Sequence, residues 1–118
     1  MSEKQLTAAD ILAAQDLRRV PFSVPEWGGQ VHVREMACAE MDVFSPIAAR
    51  FKEAEFNLAD MCRVCALTLC DKDGHRLFTN EEIDALAAKN PKPIQAVFLK
   101  ALEVSGLTKT AIEAEKKD

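Results

Sequence analysis

Val24-Pro25-Glu26-Trp27-Gly28-Gly29-Gln30-Val31-His32-Val33-Arg34-Glu35-Met36 reads as a chain reversal between two short strands, with the one tryptophan of the chain at its tip. To its left, Val20, Phe22 and Val24 alternate with Arg19, Pro21 and Ser23; to its right, Val31 and Val33 alternate with Gln30, His32 and Arg34. A period of two puts every second side chain on one face, as a half-buried antiparallel pair requires. Gly28 and Gly29 supply the backbone freedom for the reversal. Pro21 and Pro25 have no N–H to give to a ladder, so the left arm is expected at a sheet edge. Such an edge beside an aromatic side chain either receives a partner or closes a small sheet over a helical core, and the sequence leaves both open.

Outside the hairpin the period changes to three or four. Thr7-Ala8-Ala9-Asp10 predicts an N-cap with an acidic third position, opening a short helix around Ile11 and Leu12. Met41, Phe44, Ala48 and Phe51 recur at helical spacing, but Pro46 interrupts them. A proline inside a helix removes a hydrogen bond and clashes with the preceding turn. A fresh start is therefore expected, with Ser45 as N-cap, Pro46 in the first turn, and Ile47, Ala48, Phe51 and Ala54 on the buried side. Asn57 caps the next and most apolar helix, with Asp60 near the positive end of its dipole. That helix is expected to run into Leu67-Thr68-Leu69-Cys70 and stop at Asp71-Lys72-Asp73-Gly74.

A short extended piece, His75-Arg76-Leu77-Phe78, follows, and Thr79-Asn80-Glu81-Glu82 has the form of a capping box. Ile83, Leu86 and Ala87 mark the buried face of the helix it opens. Asn90-Pro91-Lys92-Pro93 separates that helix from another carrying Ile94, Val97, Phe98, Ala101 and Leu102, which Gly106 ends in a left-handed conformation. Thr108 caps a last, mostly polar helix from Lys109 to about Lys116, expected to fray, as are the first residues of the chain. The expected fold class is α+β, a predominantly helical single domain over residues 1–118 with a small N-terminal antiparallel β-hairpin or sheet.

Composition narrows the function. At 118 residues the chain is long enough for one core and too short for two. A net charge of −4 and a pI near 5.2 give no electrostatic footprint for a nucleic-acid backbone. No apolar run approaches the roughly 20 residues that span a bilayer, and the first residues lack the basic and apolar regions of a signal peptide. A cytoplasmic protein is expected, with neither membrane nor nucleic acid as partner.

No constellation of residues points to catalysis. Of the four cysteines, Cys38, Cys62, Cys65 and Cys70, the pair Cys62-Arg63-Val64-Cys65 has metal-like spacing. A closed zinc site needs a second such pair, and there is none. Cys62 and Cys65 also fall on the apolar stripe of a helix, where thiols act as small hydrophobes. A redox dithiol belongs at a helix start, and these lie mid-helix. Asp71 to Glu82 has the length of a calcium loop, but its glycine comes at the fourth place instead of the sixth, so it reads as an Asp-Gly turn. His32 and His75 are isolated. No phosphate loop or serine elbow occurs. No cofactor and no metal is expected, and the chain reads as no enzyme.

Several segments taken in order resemble a known family. Ala9-Asp10-Ile11-Leu12-Ala13-Ala14, then Val24 to Gly29, Val31 to Met36, Asn57-Leu58-Ala59, Ala66 to Thr79, Phe98 to Leu102 and Ser105-Gly106-Leu107 are similar to the tail assembly chaperones of long-tailed phages and prophages. The resemblance covers nearly the whole chain. It implies a small, nonenzymatic protein of the host cytoplasm, absent from the finished virion. It also implies binding to the tape measure protein, a very long helical polypeptide, to keep it soluble and help recruit the tail tube protein. Many such proteins are also made in a longer form by ribosomal frameshifting, with which Lys116-Lys117 is compatible. Two departures from the family pattern concern the middle of the chain: Ala37-Cys38 stands where a Ser or Thr cap is expected, and Pro46 where a continuous helix is expected.

The resemblance carries no residue-level binding site. Trp27 is the candidate partner-binding residue, because aromatic side chains dominate binding hot spots; its ring folding down as packing is the alternative. Phe51 and Phe98 read as core. The competing function is a small metal- or redox-responsive regulator using Cys62 and Cys65.

Overall fold

The computed structural model describes residues 3–52 and 57–107. The elements, in chain order, are α1 (Ala8–Ala13), β1 (Arg19–Val24), β2 (Gly29–Arg34), α2 (Cys38–Lys52), α3 (Leu58–Thr68), β3 (Leu69–Cys70), α4 (Ile83–Ala87) and α5 (Pro91–Val104). The architecture is α+β and helix-dominated, as expected. The Phe51 side chain, Ala54 and the expected last helix lie outside the described residues.

The hairpin forms, with the alternation the sequence predicts. Val20 faces Val33, Phe22 faces Val31, and Val24 faces Gly29, so the apolar residues of both arms share one face. β1 is an edge strand, and the sheet order is β1-β2-β3. The reversal is a 3₁₀ turn, Pro25–Trp27, followed by Gly28 in the left-handed conformation at φ 78°. A side chain there would be strained, which is why glycine sits at this point of the turn.

β3 departs from expectation. The helix through the most apolar run stops at Thr68, and Leu69 and Cys70 turn extended to pair with Val33 and His32. This antiparallel pairing converts the hairpin into a three-stranded sheet and adds Leu69 to its apolar face. The extended piece expected after Gly74 shrinks to an isolated bridge between Cys70 and Arg76.

α3 and α5 pack on each other and α5 lies against the sheet. Val24, Val33, Leu69, Val64, Cys65, Ile94, Val97, Phe98, Ala101 and Leu102 are all buried in this core. Burial of each large apolar side chain contributes about 1.5–3 kcal/mol. α5 opens at Pro91, with the Asn90 side chain accepting the Lys92 N–H (2.9 Å). The two prolines expected to separate the helices instead occupy its first turn, where a missing N–H costs nothing. Gly106, at φ 74°, ends it.

Pro46 does not start a helix. α2 runs unbroken through it, contrary to the expected restart at Ser45. The carbonyl that loses its partner belongs to Asp42, and Asp42, Ser45 and Pro46 are all exposed, so this face of the helix is open for water to serve the freed oxygen. The weak Ala37-Cys38 start has its own remedy. Glu40 reaches back to accept the Ala37 N–H (2.8 Å) and pairs with Arg34 through two hydrogen bonds of 3.0 and 2.6 Å. Arg34 is itself buried, so the end of β2 is clamped to the start of α2.

The other end of α2 has a matching clamp. Asp60, 1 % exposed, accepts from Arg50 Nε (2.9 Å) and Nη2 (2.6 Å), and Arg63 Nη1 stands at 3.4 Å. Asp60 also completes a capping box with Asn57 at the start of α3. The Arg50 hydrogen bonds hold its carboxyl below the ordinary range against the opposing effect of burial.

Candidate partner-binding groove

Trp27 sits neither free at a tip nor inside the core. It is half-buried, packs against the core cluster, and forms one wall of an open apolar groove of about 630 Å³. Four separate parts of the chain line that groove: Glu26 and Trp27 from the hairpin turn, Val31 and Leu69 from the sheet, Leu77 and Phe78 from the loop after β3, and Ala85, Leu86 and Lys89 around α4. Leu69 and Leu86 are buried at its floor, while Leu77 is 46 % exposed at its lip. The groove is the place where the apolar face of the sheet continues past its helical cover.

Local chemistry holds the far wall in position. The Asp71 carboxylate accepts the backbone N–H groups of Asp73 (2.8 Å) and His75 (3.0 Å), closing an Asp-Gly turn with Gly74 at φ 90°. Those backbone hydrogen bonds, led by that of His75, hold the Asp71 carboxyl below its usual value. The Leu77 N–H then donates to the Leu69 carbonyl (3.0 Å), folding the loop back on β3. Arg76 pins it from below, donating to the Ala66 carbonyl (3.0 Å) and to Asn80 Oδ1 (2.9 Å).

Glu82 accepts the Thr79 N–H (2.8 Å), as the capping pattern predicts, and the Thr79 hydroxyl also reaches the Glu82 carboxylate (3.3 Å). The turn it starts is 3₁₀ over Asn80–Glu82 and becomes α4 at Ile83. Of the three residues expected on the buried face of that helix, Leu86 is buried, Ile83 half-buried and Ala87 exposed.

This surface is chemically suited to binding an apolar partner. It is apolar along its length with one acidic and one basic residue, Glu26 and Lys89, in its lining. An amphipathic helix laid into such a groove buries its apolar stripe while its polar face stays wet. Reasoning from sequence found Trp27 but missed its companions. The pair Leu77-Phe78 between polar neighbours was the available signal, an apolar dipeptide in a loop.

Other candidate sites are occupied by their own structure. Cys62 and Cys65 are buried in α3, and the Cys65 thiol donates to the Ile94 carbonyl (3.5 Å). Burial pushes both thiols up, away from the thiolate that metal binding or disulfide exchange uses. Asp71, Asp73 and His75 bring three possible ligand atoms within 4.8 Å. Both Asp71 oxygens are already engaged, one closing the turn and the other facing His75 Nδ1 at 3.5 Å. His32 lies on β2 opposite Cys70. Among the described residues no helix is long and apolar enough to cross a membrane.

Neither a protein-family model nor a curated protein matches the sequence. A solved structure does match the fold: the bacteriophage HK97 tail assembly chaperone, at TM-score 0.62 and 22 % identity, over 81 % of this chain and 94 % of that one. That structure represents the family whose pattern the residues resemble, and this chain has its fold.

Proposed function

We propose that this chain is a tail assembly chaperone of a long-tailed phage or prophage. In this reading it binds the tape measure protein in the host cytoplasm, keeps it soluble, helps recruit tail tube subunits, and leaves before the tail is finished. The observation that carries the reading is the fold shared with the HK97 chaperone over nearly all of that chain. The groove supplies a physical means. A long amphipathic helix exposes an apolar stripe until the tube encloses it, and uncovered stripes aggregate. Trp27, Phe78 and Leu77 would cover part of that stripe, and the net charge of −4 would help keep the complex dispersed. A longer form of the same chain, made by frameshifting, would be a further partner. No bond-making step belongs to this function.

Co-expression with the accompanying tape measure protein tests it. The chain should move the tape measure protein from the pellet to the soluble fraction. Leu77→Asp, at the exposed lip, should abolish the rescue while the melting temperature holds. Absence of rescue by the unaltered chain overturns the proposal.

A further inference from the structure

Arg19 and Arg34 stand directly opposite each other at the open end of the hairpin. Like charges facing across antiparallel strands destabilise the pair unless something neutralises them. Arg34 has its counter-charge, since Glu40 accepts from both of its Nη groups at 3.0 and 2.6 Å. Arg19 does not. Its Nε donates to the Lys72 carbonyl (2.7 Å), and no carboxylate among the described residues forms an ion pair with it.

The Arg19 guanidinium is nevertheless held in place. Besides the bond from Nε, it lies against the bare backbone of Gly74, where a Cβ would stand 3.5 Å from Nη1 and 3.8 Å from Cζ. A guanidinium fixed through Nε leaves its two Nη groups as a planar fork. That shape takes a carboxylate through two parallel hydrogen bonds.

Both arginines line a pocket of about 240 Å³ between the turn at Gly74 and residues 14–17. Ala14 and Leu17 give it an apolar side, while Asp16 and Asp73 add negative charge to its wall. Those two carboxylates disfavour a doubly charged anion such as phosphate and tolerate a single charge better. The positive field also reaches inward: burial raises the Cys70 thiol, and the charges of Arg34 and Arg19 oppose that rise.

We propose that this pocket binds a peptide carboxylate, with the Arg19 Nη groups as bidentate donors and Ala14 and Leu17 against the aliphatic part of the same residue. A free C-terminus and an acidic side chain offer the same group, and the test separates them. Trp27 follows Val24 at the other end of the hairpin, and the five strand steps from Arg19 to Val24 span roughly 17 Å. The site is therefore distinct from the Trp27 groove, and its test is independent of the chaperone reading.

The full isotope-labelled chain is titrated with four probes while the Arg19 Nε–H resonance is followed by NMR. The probes are acetyl-Ala-Ala with a free carboxylate, the same peptide amidated, acetyl-Ala-Glu-Ala-amide, and inorganic phosphate. At least one of the two carboxylate peptides should shift the resonance saturably, and the tighter of them identifies the source. The amidated peptide and phosphate should leave it in place. Arg19→Gln should weaken binding by about tenfold or more, the worth of a hydrogen bond to a charged group, and Arg19→Lys, which keeps the charge but loses the fork, by less. Asp16 is exposed, so Asp16→Asn should leave the melting temperature unchanged and tighten carboxylate binding several-fold. Overturning results are no shift with either carboxylate peptide, an equal shift with the amidated peptide or phosphate, or an affinity that neither Arg19→Lys nor Asp16→Asn changes.

Discussion

α1 and α5 begin in the same way and end in opposite situations. Each has a polar side chain at its N-cap accepting a backbone N–H, Thr7 for Asp10 and Asn90 for Lys92. α5 buries Ile94, Val97, Phe98, Ala101 and Leu102 between α3 and the sheet, whereas α1 buries nothing. Capping therefore decides where a helix starts and says nothing of whether it is held. Tertiary packing sets stability, and a capped helix without packing is available to another molecule.

The comparison can be broken most severely at its packed end. Phe98→Ala should cost about 3–5 kcal/mol, the range for emptying an aromatic site in a core. Chemical denaturation should show a lowered midpoint with little change of slope. A loss below about 1 kcal/mol would contradict the burial of Phe98 in the core.

The next effect lies in the clamp between α2 and α3. Asp60→Asn removes a charge that accepts from Arg50 and should cost about 2 kcal/mol, the scale of a hydrogen bond to a charged group. Its pH dependence has a definite sign. The folded carboxyl lies below its usual value, so the stabilisation is fully present above an unfolded pKa of about 3.9 and is lost as pH falls through the folded value. Melting temperatures of the original chain and the Asn variant should differ by a constant amount near neutrality and converge in acid. A gap that widens in acid would contradict the assignment.

The smallest effect is expected at the unpacked end. Leu12→Ala should change the stability of the dilute chain by less than about 0.5 kcal/mol, because the side chain touches no core. A large loss at low concentration would place α1 in the fold after all.

What the sequence disclosed, and what it concealed, follows the range of the interactions involved. The hairpin was legible because Val20, Phe22, Val31 and Val33 announce its period within a few residues. The caps at Thr7, Asn57 and Asn90 are equally local. Pro46 misled because its cost depends on whether the Asp42 carbonyl faces water, a fact settled by tertiary placement. β3 was hidden inside an apolar run, where Leu69 and Cys70 have the composition of the helix before them; only pairing with Val33 and His32 makes them a strand. The remedy for the missing cap at Ala37 was readable in part, since Glu40 stands at the reach-back position, but its union with Arg34 was not. The groove was the least legible feature. Trp27, Val31, Leu77 and Leu86 come from four segments, and no window of sequence contains them together.

The central claim is that the Trp27 groove covers the apolar side of a long helical client. Its most direct measurement is the emission of Trp27 during titration of the full chain with soluble amphipathic segments of the accompanying tape measure protein. A saturable blue shift, abolished by Leu77→Asp and absent with scrambled segments of equal composition, is the predicted result. Emission that stays unchanged while the segments bind elsewhere, or no binding at all, would contradict it.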